Sequence, residues 1–248
     1  MSIVTGAASG IGRAVALRMA ARGAFVALLD SNLDGSAEIE REIRATGGSA
    51  KAYGVDVRDS TGVNAVVEDA IREFGNINSV ISCAGILRTG RVTETQLDDW
   101  NLVISVNLTG TFVLAKLTIP WLEKSKGSFV AISSDAGTQG ASGYAAYCAS
   151  KHGVIGLVRC LALDHGPKGV RSNAICPSFV NTPMADAAFA GSSEGAREFY
   201  ERLVPLGRFA SANEIADVAS YLTSNEASYV NGAIFAVDGG ATAGYFSR

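Results

Sequence analysis

Tyr147 and Lys151 stand four residues apart in Tyr147-Cys148-Ala149-Ser150-Lys151. On a helix this spacing places both side chains on one face, about 6 Å apart along the axis. An ammonium beside a phenol favours the phenolate and draws its pKa down from ~10. A phenol so placed takes a proton from an alcohol or gives one to a carbonyl. On these two residues alone, an ordinary surface pair explains the spacing better, so further residues must decide.

A second constellation lies near the start. Thr5-Gly6-Ala7-Ala8-Ser9-Gly10-Ile11-Gly12 follows an apolar run and precedes a helical stretch. Glycines there permit a tight turn, let backbone approach a pyrophosphate and pack the helix close to the strand. The helix N-terminus adds free N–H groups and partial positive charge. Gly6, Ser9, Gly10, Ile11 and Gly12 are thus candidate phosphate contacts. Asp30 closes the next apolar run, 18 residues after Gly12, where a carboxylate accepts adenosine ribose hydroxyls. The same carboxylate repels a 2′-phosphate, and neither positions 7–9 nor 31–32 carry a cation. Arg13 alone is within reach of the turn. The expected coenzyme is therefore NAD.

Both constellations need a scaffold, and the apolar pattern supplies one. Runs of strand character occupy 2–4, 24–29, 50–55, 77–82, 128–132, 170–175 and 233–237. Helical stretches lie between them at 11–22, 33–45, 60–74, 95–122, 144–165 and 212–222, with Ser60 a candidate cap. Strand–helix alternation indicates βαβ units and right-handed crossovers. The expected fold is α/β, a doubly wound Rossmann fold whose seven-stranded, mainly parallel sheet has helices on both faces. No linker interrupts 1–248, so one domain is expected. The first run is short, and a trimmed N-terminus is suspected.

With these residues in place, the chain resembles the short-chain dehydrogenase/reductase family over almost its whole length. Thr5–Gly12 resembles the family's T-G-x-x-x-G-x-G turn, and Tyr147–Lys151 its Y-x-x-x-K. Ser134 stands 13 residues before Tyr147, as the family's catalytic Ser does. Asn107, in Ser105-Val106-Asn107, matches the family's Asn. Cys176-Pro177 through Thr182-Pro183-Met184 resembles the stretch beside the nicotinamide, and Asp238-Gly239-Gly240 is a further family feature. The resemblance implies that Tyr147 transfers a proton, Lys151 tunes it and holds the nicotinamide ribose, and Ser134 orients the substrate oxygen. It implies that Asn107 bends its helix and holds a water linked to Lys151. It places Asp56 and Val57 at the adenine, Ala84 and Gly85 at the adenosine ribose, and Pro177, Val180 and Thr182 at the nicotinamide.

Two departures stand out. The family's N-N-A-G is Ser82-Cys83-Ala84-Gly85, so hydrogen bonding should change locally. Ser178 replaces a Gly, and a left-handed backbone there would cost about 1 kcal/mol.

Composition narrows the alternatives. Hydrophobic residues are 48% and charged residues 18%, enough apolar content for a large core. Lys plus Arg number 21 against 24 Asp plus Glu, a net charge of −3. No basic excess marks a nucleic-acid partner. No signal-like segment is expected, and the apolar stretch 102–122 carries Asn107, Lys116 and Pro120, so no membrane association is expected. The four cysteines form no C-x-x-C pair, which indicates reduced thiols and a cytoplasmic protein. Cys83, Cys160 and Cys176 read as small core residues. Cys148 and His152 share a helix face without a second ligand pair, so no metal is expected.

The resulting expectation is an NAD-dependent dehydrogenase acting on a small secondary alcohol or ketone. A 3-oxoacyl-carrier-protein reductase is the enzymatic rival, though the family's members usually carry a basic residue for NADP. A catalytically inactive nucleotide sensor is the rival of another class, but it should have lost Ser134, Tyr147 or Lys151. Candidate substrate contacts are Ser134, Asp135, Gln139, Tyr144, Met184 and Phe189. Residues 184–208 are expected to form a mobile lid, with Gly191-Ser192-Ser193 as a flexible point and Phe189, Phe199 or Tyr200 over the reacting carbon. Leu108, Phe112, Leu114, Leu117, Val154, Leu157, Val158 and Leu161 make two helices apolar enough to cover both the sheet and a neighbour, and a homotetramer is expected, with a dimer next.

Overall fold

Each apolar run becomes a strand, and the residue that ends it opens a turn at the same edge of the sheet. The computed structural model describes residues 1–190 and 195–245. In chain order the first half holds β1 (Ser2–Thr5), α1 (Gly10–Ala21), β2 (Phe25–Asp30), α2 (Leu33–Ala45), β3 (Ser49–Gly54), α3 (Ser60–Phe74) and β4 (Ser79–Ser82). Then come α4 (Leu97–Ile104), a π-helical turn (Ser105–Thr109), α5 (Gly110–Ser125), β5 (Ser128–Ile132), α6 (Ala145–His165) and β6 (Arg171–Pro177). The last part holds β7 (Val180–Asn181), α7 (Pro183–Phe189), α8 (Ala196–Leu203), β8 (Ala210–Ser211), α9 (Ala212–Thr223) and β9 (Ile234–Val237).

Among the described residues, seven strands form one parallel sheet in the order β3-β2-β1-β4-β5-β6-β9. Val4 of β1 faces Leu28 on one side and Ile81 on the other. The chain reverses direction across the sheet between β1 and β4, the place where such folds open a crevice at the strands' carboxyl ends. One sheet face packs Val63 and Val67 of α3, Leu114 and Leu122 of α5, and Val154 and Val158 of α6 around Phe129. The other packs Val15 and Met19 of α1, Ile39 and Ile43 of α2, and Ile215 and Leu222 of α9 around Val4, Leu28 and Val130. Strands buried on both faces read as continuous apolar runs, which is why they were legible.

The structure corrects several expectations. Asp59, not Ser60, caps α3: its carboxylate accepts from the N–H groups of Thr61 and Gly62. The helix expected over 95–122 begins at Leu97, widens into the π turn around Asn107 and continues to Ser125. It is long and apolar enough to cross a membrane by composition, yet Val103, Asn107, Leu114, Thr118 and Leu122 are buried within the fold. Ser178 needs no left-handed backbone, because Lys126 is the one non-glycine with positive φ among the described residues. Instead its hydroxyl donates to the Asp238 carbonyl at 3.2 Å. Cys160 is exposed, unlike the buried Cys176. Of the residues expected to cover the sheet and a neighbour, Leu114, Val154, Val158 and Leu161 cover the sheet in the core, while Phe112 is exposed.

The lid segment is more regular than expected. It forms α7 and α8, and β7 pairs with β8 at its base. Phe179 stacks with Phe209 at 4.9 Å between centroids, and Phe189 and Tyr200 close the cluster at 5.8 and 4.9 Å from Phe179. Phe189 is thus held among aromatic rings. Gly191-Ser192-Ser193 lie outside the described residues.

Thr5 ties β1 to the chain leaving β4. Its hydroxyl oxygen accepts from the N–H groups of Cys83 and Ala84, both at 3.1 Å. Thr5→Val keeps the shape and leaves both donors unpaired, so urea unfolding should show a loss of about 1–3 kcal/mol. Unchanged stability would contradict this bracing role.

Candidate active site

The Gly-rich turn is closed by steric necessity. A Cβ at Gly12 would lie 2.0 Å from the Gly6 carbonyl oxygen, and one at Gly6, whose φ is +65°, would lie 2.9 Å from the Ala84 nitrogen. Ser9 sits at the N-cap of α1 without a side-chain cap, which leaves the first N–H groups of the helix open to a ligand. Gly6, Ser9, Gly10, Ile11, Gly12, Asp30, Asp56, Val57, Ala84, Gly85 and Thr182 line one cleft of about 420 Å³. These residues fit a dinucleotide: open amides and glycines for the pyrophosphate, and carboxylates at the ends of β2 and β3 for a nucleoside.

Asp30 is itself held in place. Its two oxygens accept from Ala8 N–H at 3.0 Å and Asn32 N–H at 2.9 Å. Arg13, the cation nearest the turn in sequence, is bidentate on Glu42 at 2.7 and 2.9 Å. Arg58 and Arg88 also line the cleft, which the sequence reading missed. Both are engaged: Arg58 holds Asp56, whose pKa it lowers, and Arg88 pairs with Asp99 at 3.4 Å.

The chemistry lies where β5 and α6 meet. Lys151 is 5% exposed, and its ammonium donates to the Ile132 carbonyl at the end of β5, at 2.8 Å. Burial pulls its pKa down to about 8. The ammonium lies 5.6 Å from the centre of the Tyr147 ring. Burial pushes the Tyr147 phenol up to about 12, while Ser134, facing it, works in the opposite direction. The Ser134 hydroxyl donates to Asp135 Oδ1 at 2.8 Å and accepts from Ala136 N–H at 3.2 Å.

Asn107 supports this site from the π turn. Its Oδ1 accepts from Ile86 N–H at 2.8 Å, and its Nδ2 donates to the Ile86 carbonyl and the Ser150 hydroxyl, both at 3.0 Å. The added residue of a π turn swings the side chain out of the α-helical ladder and toward α6. Gly85 passes between Asn107 and Lys151: a Cβ there would lie 3.4 Å from Asn107 Oδ1 and 3.5 Å from Lys151 Nζ. Cys83, where the resemblance led one to expect Asn, is held neutral beside Lys151 by burial, which pushes its thiol up to about 12.

A family model described as Enoyl-(Acyl carrier protein) reductase matches residues 6–242. A meso-2,3-butanediol dehydrogenase of Serratia marcescens is 38% identical over 97% of this chain and 94% of its own. The D-threitol dehydrogenase of Mycolicibacterium smegmatis is 37% identical over 98% of this chain and 92% of its own. This chain belongs to the short-chain dehydrogenase/reductase family. A solved structure from Beutenbergia cavernae, with NADP bound at low occupancy, superposes with a TM-score of 0.91. It is 38% identical, over 98% of this chain and 96% of that one. The chain is therefore an oxidoreductase of a family that uses a nicotinamide coenzyme.

Some candidate residues of this short-chain dehydrogenase/reductase lie elsewhere than expected. Met184, a substrate candidate, lines the coenzyme cleft beside Thr182, while Pro177 ends β6 and Val180 is buried in β7. Asp135 and Gln139 line a separate cavity of about 230 Å³. Tyr144 sits at the N-terminal boundary of α6, where burial, and after it the nearby Tyr200 and Asp135, raise its pKa. The anchor role of the Ile132 carbonyl was missed, since backbone acceptors leave no mark in a sequence.

Lys151 also sets a stability term whose sign is fixed. Its folded pKa, about 8, lies below the ordinary 10.5. The buried ammonium therefore costs stability at neutral pH, and the cost fades as pH rises from about 8 to 10.5. Lys151→Met should be more stable than the parent at neutral pH by on the order of 1 kcal/mol, after the lost bond to Ile132 is allowed for. The gap should close in alkaline solution. Thermal melts across pH read it, and a variant less stable at every pH contradicts it.

Proposed function

We propose that the chain is an NAD-dependent dehydrogenase of a small secondary alcohol, running in reverse as a ketone reductase, and that 1–248 acts as one domain. The observation that carries this reading is the meeting of Ser134, Tyr147 and Lys151 at the end of β5. The names of the butanediol and threitol relatives support it. Bound at the cleft, the coenzyme would accept the hydride and add positive charge beside the phenol.

The residues divide the remaining work. Tyr147 takes the proton of the alcohol hydroxyl, or returns it to the ketone oxygen. Its buried phenol resists ionisation on its own, so a neighbouring cation is required, and Lys151 keeps its charge below about pH 8. Ser134 faces the same phenol and orients the substrate oxygen. Asn107 is a positioning residue, locking Ile86 and Ser150 around Lys151. Asp30 accepts the ribose hydroxyls, and the commitment of Arg13 to Glu42 favours NAD over NADP. The four free cysteines fit a reducing, cytoplasmic setting. Exposed Phe112 and Leu163 on α5 and α6 support a homotetramer.

A panel of secondary alcohols, followed by the appearance of NADH, tests the activity. Tyr147→Phe should lower turnover by at least ~10²-fold while leaving NAD affinity nearly unchanged. Near-parental turnover would remove Tyr147 from the proton-transfer role. Asp30→Ala should weaken NAD and narrow its advantage over NADP. If the parent enzyme has the higher kcat/KM with NADP, the coenzyme assignment is wrong.

A further inference from the structure

Ser134 has one proton to give, and in this structure Asp135 competes with Tyr147 for it. The bond from Ser134 Oγ to Asp135 Oδ1 is 2.8 Å long, and the Ala136 N–H donates to the same carboxylate oxygen at 2.7 Å. The other oxygen, Oδ2, has no hydrogen-bond partner among the described residues. Asp135 lines the cavity of about 230 Å³, with Thr138, Gln139 and Thr242 as polar walls and Ile234 and Ala236 as apolar ones. A carboxylate oxygen left without a protein donor beside a small cavity is free to accept from a ligand that displaces water there.

This arrangement conflicts with simple alcohol chemistry. An oxygen that gains negative charge as its proton leaves is stabilised by a hydroxyl donor pointed at it. Ser134 cannot serve as that donor while its proton rests on Asp135. The carboxylate also opposes ionisation of Tyr147 through space. A plain mono-alcohol has no group to relieve either effect.

We propose that Asp135 selects substrates carrying a second hydroxyl beside the reacting carbinol. The second O–H donates to Asp135 Oδ2, weakens the hold of the carboxylate on Ser134, and frees the Ser134 proton for the reacting oxygen. The inference rests on the secondary-alcohol reading above and assigns the choice among such alcohols to one residue. No bond other than hydrogen bonds changes in this step.

The charges around Asp135 are consistent with this. Burial raises its pKa, and Asp238, past the end of β9, adds a weaker repulsion, so a donor at Oδ2 is favoured. Tyr144 and Tyr147 of α6 and Cys176 of β6 feel its charge and are each raised by it. Asp238 is itself satisfied by Gly240 N–H and by the N–H and hydroxyl of Thr242. Asp135 is thus the carboxylate of the pair left to meet a ligand.

The test compares meso-butane-2,3-diol with butan-2-ol in the parent enzyme and in Asp135→Ala, by kcat/KM with NAD. The parent should favour the diol by about 10-fold or more, because a buried acceptor left unpaired rejects the analogue lacking its donor. In Asp135→Ala the diol rate should fall and the butan-2-ol rate should rise. The pH at which butan-2-ol oxidation sets in should also fall, since the charge opposing Tyr147 is gone. Asp135→Asn, uncharged and nearly isosteric, reads the same ratio and the same pH limb should the alanine variant fail to fold. Turnover of both alcohols with an unchanged ratio and pH limb overturns the assignment to Asp135 and leaves the dehydrogenase reading standing. Absence of turnover on every secondary alcohol defeats that reading and this inference with it. A vicinal amino alcohol that outpaces the diol would show that the carboxylate selects a cation, which also overturns the proposal.

Discussion

The burial of one ammonium organises this site. Lys151 is surrounded by protein, and its single strong contact is the Ile132 carbonyl at the end of β5. A charge in such surroundings is costly unless groups are arranged to hold it. Strand β5 supplies the acceptor because its pairing with β4 ends at Ala131, one residue before Ile132. Helix α6 supplies the lysine one turn after Tyr147, so the phenol is carried to the ammonium by helical geometry alone. The π turn brings Asn107 against Ser150 of the same helix and braces Ile86. Ser133 completes the frame by donating to the Lys151 carbonyl at 2.9 Å.

The coenzyme end depends on a different constraint, close approach of backbone. Gly6 and Gly12 sit where any side chain would collide with main chain, and Thr5 pins the chain after β4 against the turn. The two ends share Gly85, which lines the cleft and passes between Asn107 and Lys151. A parallel sheet with its switch point between β1 and β4 puts both at one edge. Sheet topology therefore does for the site what no local sequence could: it brings residues 6, 30, 85, 134 and 151 to one edge of the sheet.

Much of this was legible in the chain. The apolar runs predicted the strands to within a residue or two because a doubly covered parallel sheet leaves no room for polar alternation. The spacing of Tyr147 and Lys151 and of the glycines predicted their faces and turns. Less legible was whatever depends on backbone or on packing at a distance. The π turn at Asn107 looks like ordinary helix by periodicity. The lid looked irregular because α7 and α8 are short, and their rings pack on Phe179 and Phe209 from outside the segment. Val180 and Pro177 were placed by resemblance, because nothing in their own chemistry marks a buried Val or a strand-end Pro as a ligand contact. Asp135 was recognised as a neighbour of Ser134, but its claim on the Ser134 proton is visible only in the hydrogen bond.

The central claim is that Lys151 is a buried ammonium whose charge is finely balanced and is held for the sake of Tyr147. Titration of its side-chain nitrogen by NMR, with Lys151→Met to assign the signal, tests this most directly. The account expects the resonance to titrate near pH 8, well below the ordinary 10.5 of a free lysine. A lysine that titrates at the ordinary value would mean that the ammonium is solvated, and the charge relation on which the site depends would be wrong.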